Sequence, residues 1–140
     1  MTGRKPTVLF VCVHNAGRSQ LAAGLATARG GDRLRVTSAG LDPEDHVSEE
    51  VIASLAEHGI DWSGRTPTKL TAQAVADADV VIALKPGLDL PVVEGVRYET
   101  WPLPDPAGWD VDGIRPLREH LERRIAALLT DLNTITEEHL

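Results

Sequence analysis

With 140 residues, 42% of them hydrophobic, the chain has the size of one compact domain, and its formal charge of −7 argues against a nucleic-acid partner, which would call for clustered Lys and Arg. Its one cysteine excludes an internal disulfide and any multi-cysteine zinc site, which suits a reducing cytoplasm, and no run of about 18 apolar residues is present to span a membrane. Thr7 to Val13, TVLFVCV, is a β-branched apolar run of buried-strand character; after His14-Asn15-Ala16-Gly17, a helix-forming stretch follows from Ser19 to Arg29. A second strand is expected at Leu34 to Ser38, ended by Ala39-Gly40, then a helix from Ser48 to His58 with a Ser-Glu-Glu opening and Gly59 just past its end. A short Ala-rich helical stretch near Thr71 to Ala76 leads into the clearest strand, Asp79 to Leu84, cut off by Lys85-Pro86-Gly87. Val96 to Trp101 makes a fourth strand, and an amphipathic helix from about Gly113 to Leu132 carries Ile114, Leu117, Leu121, Ile125 and Leu128 on one face. The polar tail from Thr134 to Leu140 is expected to fray.

Strands alternating with helices predict an α/β domain, a parallel sheet flanked by helices on both faces, with the ligand site beyond the carboxyl ends of the strands. Cys12 falls at the end of the first strand. Five residues, Val13-His14-Asn15-Ala16-Gly17, separate it from Arg18, and a loop of that length before a helix can turn its N–H groups inward and add the helix's own positive potential, an anion cradle. Arg18 can grip two oxygens of a tetrahedral anion through its planar fork. The same field favours a Cys12 thiolate, a nucleophile. Ser19 can donate to that sulfur, and Asn15 can either occupy a left-handed turn or fix the loop through its side chain. For His14, a loop-shaping role and a catalytic one both fit.

A nucleophile that expels an oxygen needs an acid to protonate it. Asp105, between Pro104 and Pro106 in a stiff turn, is the first candidate, with Asp110 and Asp112 as alternatives. A zinc reading fails: His14, His46, His58, His120 and His139 show no ligand spacing.

The run Val8 to Gln20, then Ser38-Ala39-Gly40, then Trp101 through Asp105-Pro106-Ala107, resembles the low-molecular-weight tyrosine phosphatase superfamily and within it the arsenate reductases. The resemblance implies a four-stranded parallel sheet, Cys12 as nucleophile, Arg18 as oxyanion binder, Asp105 as general acid, and Asn15 and Ser19 as loop support. Phosphatases of the family tend to carry aromatic residues after Asp-Pro, where this chain has Ala107-Gly108 before Trp109, which points to a small inorganic anion. Ala83-Leu84-Lys85 lacks the cysteine that thioredoxin-coupled members use to resolve the enzyme, and Ala23 and Thr68 stand where some members place potassium-binding carboxylates, so no bound metal is expected. The chain thus resembles the single-cysteine type, which implies mycothiol as co-substrate and a mycoredoxin as reductant, with glutathione and a glutaredoxin-like protein as the alternative pair. Phosphotyrosine or small phosphomonoester hydrolysis is the runner-up activity, and non-catalytic oxyanion binding the third.

Overall fold

The computed structural model describes residues 5–138, with side chains described for residues 5–132. Four strands form one all-parallel sheet: β1 (Thr7–Cys12), β2 (Arg35–Gly40), β3 (Val80–Ala83) and β4 (Arg97–Thr100), in the order β2-β1-β3-β4. The helices are α1 (Arg18–Gly30), α2 (Glu49–Ala56), α3 (Ala72–Ala76) and α4 (Val111–Glu138), with a 3-10 turn at Gly31–Arg33. This is the expected four-stranded parallel sheet with helices on both faces.

Period-2 alternation along β1 divides the core. Val8 and Phe10 face one side with Leu21 of α1, Leu55 of α2 and Ile114, Leu121 and Ile125 of α4, while Leu9 and Val11 face the other with Val75 of α3 and Val81. The second side has only the five-residue α3 and the chain around Leu88, Leu90 and Val93 to cover it.

The element boundaries shift from the expected ones for identifiable reasons. The first strand stops at Cys12, one residue short of Val13, and β2 continues through Ala39-Gly40, which pair with Val11 and Cys12 where a stop was expected. Helix α4 starts earlier, because Asp110 caps it: its Oδ1 accepts the Gly113 N–H at 2.8 Å and its carbonyl accepts the Ile114 N–H at 3.2 Å. The helix absorbs Pro116 in its second turn, where one backbone bond is lost, and its backbone runs through Glu138 where fraying from Thr134 was expected; His139 and Leu140 lie outside the described residues. No helix of the described residues is long and apolar enough to cross a membrane.

This strand order positions the site. The first crossover leaves β1 toward β2 and the next returns past β1 to β3, so the topological switch lies at the carboxyl end of β1, where Cys12 sits. Beyond β4 the chain continues forward alongside the end of β3, with the Trp101 N–H on the Ala83 carbonyl at 2.8 Å and the Leu103 N–H on the Leu84 carbonyl at 3.3 Å. That continuation carries Asp105 to the same edge.

Candidate active site

A cavity of about 260 Å³ opens at this edge, lined by Cys12, His14, Ala16, Gly17, Arg18 and Asp105, with Pro106 to Gly108 on the acid-loop side and Glu44, Ser48 and Glu50 opposite. Four of the seven loop residues expected to bind substrate (His14, Ala16, Gly17 and Arg18) line it, whereas Val13, Asn15 and Ser19 do not. Asn15 and Ser19 are fully buried behind the loop.

The loop's shape follows from where its carbonyls go. Every C=O from Cys12 to Gly17 accepts a hydrogen bond: Cys12 from Leu41 N–H at 3.3 Å, Val13 from Asp42 at 2.8 Å, His14 from Glu44 at 3.0 Å, Ala16 from Ser48 at 2.9 Å and Gly17 from Leu21 at 2.9 Å. The Asn15 carbonyl takes Gln20 Nε2 at 3.0 Å. In a planar trans peptide the following N–H points away from the carbonyl, and no peptide bond here is cis. Six carbonyls held outward therefore turn the succeeding amides inward. Those of His14, Ala16 and Gly17 meet no protein acceptor among the described residues. Residues 41–48 thus act as a template for the loop, a role that sequence reasoning missed because backbone donors carry no residue signature.

Two glycines permit the close approach. A Cβ on Gly40 would lie 2.6 Å from the Val13 carbonyl oxygen and 2.9 Å from the Asn15 nitrogen, and one on Gly17 would lie 3.2 Å from Pro106 Cγ. Asn15 holds φ at 50°, the only non-glycine residue with positive φ among those described, so both alternatives weighed for it hold at once: it takes the left-handed turn and fixes the loop with its side chain.

Around the thiol, Cys12 Sγ lies 2.9 Å from Ser19 Oγ and accepts the Asn15 N–H at 3.3 Å. Asn15 Nδ2 donates to Ser19 Oγ at 2.6 Å, while Asn15 Oδ1 accepts the Thr68 N–H at 2.8 Å. Thr68, aligned with a potassium carboxylate in the family resemblance, contributes its backbone instead. Among the described residues no group of three or more His, Cys, Asp or Glu side chains is arranged to hold a metal ion.

Arg18 is 7% exposed. Its Nη1 donates to the Leu103 carbonyl at 3.2 Å, and among the described residues it has no other protein acceptor and no carboxylate in ion-pair reach. It is also the only Lys or Arg side chain in the cavity lining. A buried cation without a counter-charge is costly, and an anion in the cavity removes that cost. Arg65, Lys69 and Arg115 stay outside the cavity: Arg65 stacks over Trp62 at 4.0 Å, Lys69 Nζ donates to the Leu41 carbonyl, and Arg115 pairs with Glu57 and Asp112.

Asp105 is exposed at the cavity wall, its Oδ1 accepting the Ala107 N–H at 3.0 Å in a tight turn. The other two acid candidates are spent elsewhere, Asp110 as the α4 cap and Asp112 on Arg115, and neither lines the cavity. His14 lines it with Nδ1 3.0 Å from the Asp42 carbonyl, an orienting contact.

A model of the low molecular weight phosphotyrosine protein phosphatase family matches residues 7–89, the whole cradle and three of the four strands. The chain belongs to this family. Within it, the chain groups with the arsenate reductases. The glutaredoxin arsenate reductase of Synechocystis is 36% identical over 129 residues, which cover 90% of this chain and 98% of that protein. An arsenate reductase solved in a phosphate-binding state is 37% identical with a TM-score of 0.81, over 90% of this chain and 98% of the other. The thioredoxin-dependent arsenate reductase of Corynebacterium glutamicum superposes with a TM-score of 0.80 at 32% identity over 93% of this chain, which spans only 62% of that longer one.

Proposed function

We propose that this chain is an arsenate reductase of the thiol-transferase type. The observation that carries the reading is the buried, carboxylate-free Arg18 beside inward-turned amides and the chain's one cysteine: a site for a tetrahedral oxyanion next to a nucleophile. Arsenate sits with its oxygens on Arg18 and the amides that follow Cys12; Val13, Asn15 and Ser19 serve through backbone or support. Asp105 protonates the oxygen that leaves as arsenic bonds to sulfur.

Reduction from As(V) to As(III) takes two electrons, and a single cysteine that must emerge reduced cannot supply them. The carrier we propose is mycothiol. Cys12 attacks first and one arsenate oxygen leaves as water; the carrier thiolate then takes the arsenic by displacing the Cys12 thiolate, and a mycoredoxin thiolate attacks the carrier sulfur. The sulfur–arsenic bonding pair passes to arsenic, arsenite departs, and carrier and mycoredoxin are left as a mixed disulfide. Glutathione with a glutaredoxin-like protein is the second carrier reading, supported by the name of the Synechocystis relative. No cofactor is bound in either scheme.

The test is arsenate-dependent NADPH oxidation, run with mycothiol and mycoredoxin, with glutathione and glutaredoxin, and with thioredoxin alone, each coupled to its reductase. Turnover in the first arm only is the expected result. Turnover with thioredoxin alone would overturn the transferase scheme, and rapid aryl phosphate hydrolysis without arsenate turnover in any arm would replace it with the phosphatase activity.

A further inference from the structure

We infer that Gln20 and Trp62 are positioning residues that act on the Cys12 thiolate through Asn15 and Ser19, a role resting on the reading of Cys12 as the nucleophile. Neither touches the sulfur. Atoms that can only donate fix the direction of the whole chain of bonds. Trp62 Nε1 is a donor with no acceptor capacity, and it lies 2.8 Å from Gln20 Oε1 in the buried interior. That contact fixes the Gln20 amide with Nε2 toward Asn15, where it donates to the backbone carbonyl at 3.0 Å and to Oδ1 at 3.1 Å. The Thr68 N–H, also an obligate donor, meets the same Oδ1 at 2.8 Å. Two donors on Oδ1 leave Asn15 Nδ2 facing Ser19 Oγ at 2.6 Å.

Ser19 thereby receives a hydrogen bond it cannot return, and its own hydrogen is left for Cys12 Sγ at 2.9 Å. A hydroxyl hydrogen aimed at sulfur favours the ionised thiol over the neutral one. With the Asn15 amide reversed, Ser19 would donate to Asn15 and turn a lone pair on the sulfur. The indole at the far end, through Gln20, therefore joins the Thr68 N–H in setting the proton direction at the near end. Chains of bonds that polarise one another in a buried setting carry such an influence further than isolated contacts do. The charged and titratable groups sharing the cavity with the thiol are Arg18, His14, Glu44, Glu50 and Asp105, and none of them bonds to Gln20 or Trp62 among the described residues.

The test reads the thiolate directly, without arsenate: the rate of iodoacetamide alkylation of Cys12 from pH 5 to 9, in the wild type and in Trp62→Phe, Gln20→Met and Ser19→Ala, with the folded state of each checked by circular dichroism. Trp62→Phe and Gln20→Met are expected to move the alkylation midpoint upward, so that the rate below the midpoint falls by about 3- to 10-fold, a shift of roughly half a unit to one unit. Gln20→Met keeps the indole and so covers the case in which Trp62→Phe does not fold. The decisive arm is the double variant with Ser19→Ala, where the further effect of Trp62→Phe or Gln20→Met should vanish because the route is cut. An unchanged midpoint in the folded single variants, or an equal shift with and without Ser19, would overturn the assignment. Loss of arsenate turnover in a wild type that still shows the relay's pH profile would instead fault the functional reading and leave the relay intact.

Discussion

The two sides of the cavity are held in opposite ways. On the cradle side every carbonyl from Cys12 to Gly17 is engaged, Asn15, Arg18 and Ser19 are buried, and Gly40 is pressed against the loop. On the acid side Asp105 is exposed and kept in place by a tight turn and the buried ring of Pro106. The difference suits the tasks proposed for the two sides. An oxyanion is stabilised by dipoles that need no reorganisation, so the cradle must be fixed before the anion arrives. A proton donor needs reach and contact with water between turnovers, so a stiff but exposed turn suffices. Changes to the cradle should therefore cost stability and activity together, and changes to the acid loop should cost activity alone.

The largest effect is expected from Cys12→Ser, which should abolish arsenate turnover while leaving arsenate binding measurable by calorimetry. Binding lost with turnover would mean that the sulfur is part of the cradle as well as the nucleophile. Asp105→Asn should lower turnover by about 10²- to 10⁴-fold, with stability to urea changed by less than about 0.5 kcal/mol. A large loss of stability there would end the contrast between the two sides. Gly40→Ala drives a methyl into the Val13 carbonyl and should cost about 1–3 kcal/mol of stability, with activity down roughly 10²-fold from the displaced amides; an active, fully stable variant would show that the template is not needed.

The smallest effect on activity belongs to Glu57, remote from both sides. Hydrogen bonds from Arg115 and then Arg118 lower its pKa from 4.5 to about 2, which ties the end of α2 to α4. A depressed carboxylate contributes stability above its unfolded pKa and loses it as the pH falls through the folded one. Glu57→Gln should therefore melt below the wild type at pH 7, the gap closing as the pH falls from about 4.5 to 2, with turnover unchanged. A gap that persists at pH 2 would assign the loss to packing and not to charge.

What the sequence disclosed divides along the same line. Cys12 and Arg18 are legible because strand, loop and helix are adjacent in the chain, and their spacing alone places thiol and guanidinium at one edge. Strands β1 and β3 are legible from apolar runs, and Ser48 as a helix opening from residue type. The template is not legible: Leu41, Asp42, Glu44 and Ser48 act through N–H groups that any residue but proline would supply. Nor is the Gln20–Trp62 contact, which joins residues 42 apart in sequence through a fold that must already exist. Asp105 is legible from its flanking prolines and the family resemblance; Asp110 as a helix cap depends on where α4 begins. Gly40, past the expected end of the second strand, belongs to β2, where its missing side chain makes room for the cradle.

The central claim, that carbonyls turned outward leave a ring of amides aimed at a tetrahedral anion, is tested most directly by following backbone amide resonances while arsenate is titrated into the thiol-free protein. The largest shifts should fall on the amides of Val13 to Arg18, with the Arg18 side-chain N–H signals moving alongside them. Shifts confined to other surfaces, or none at millimolar arsenate, would contradict it.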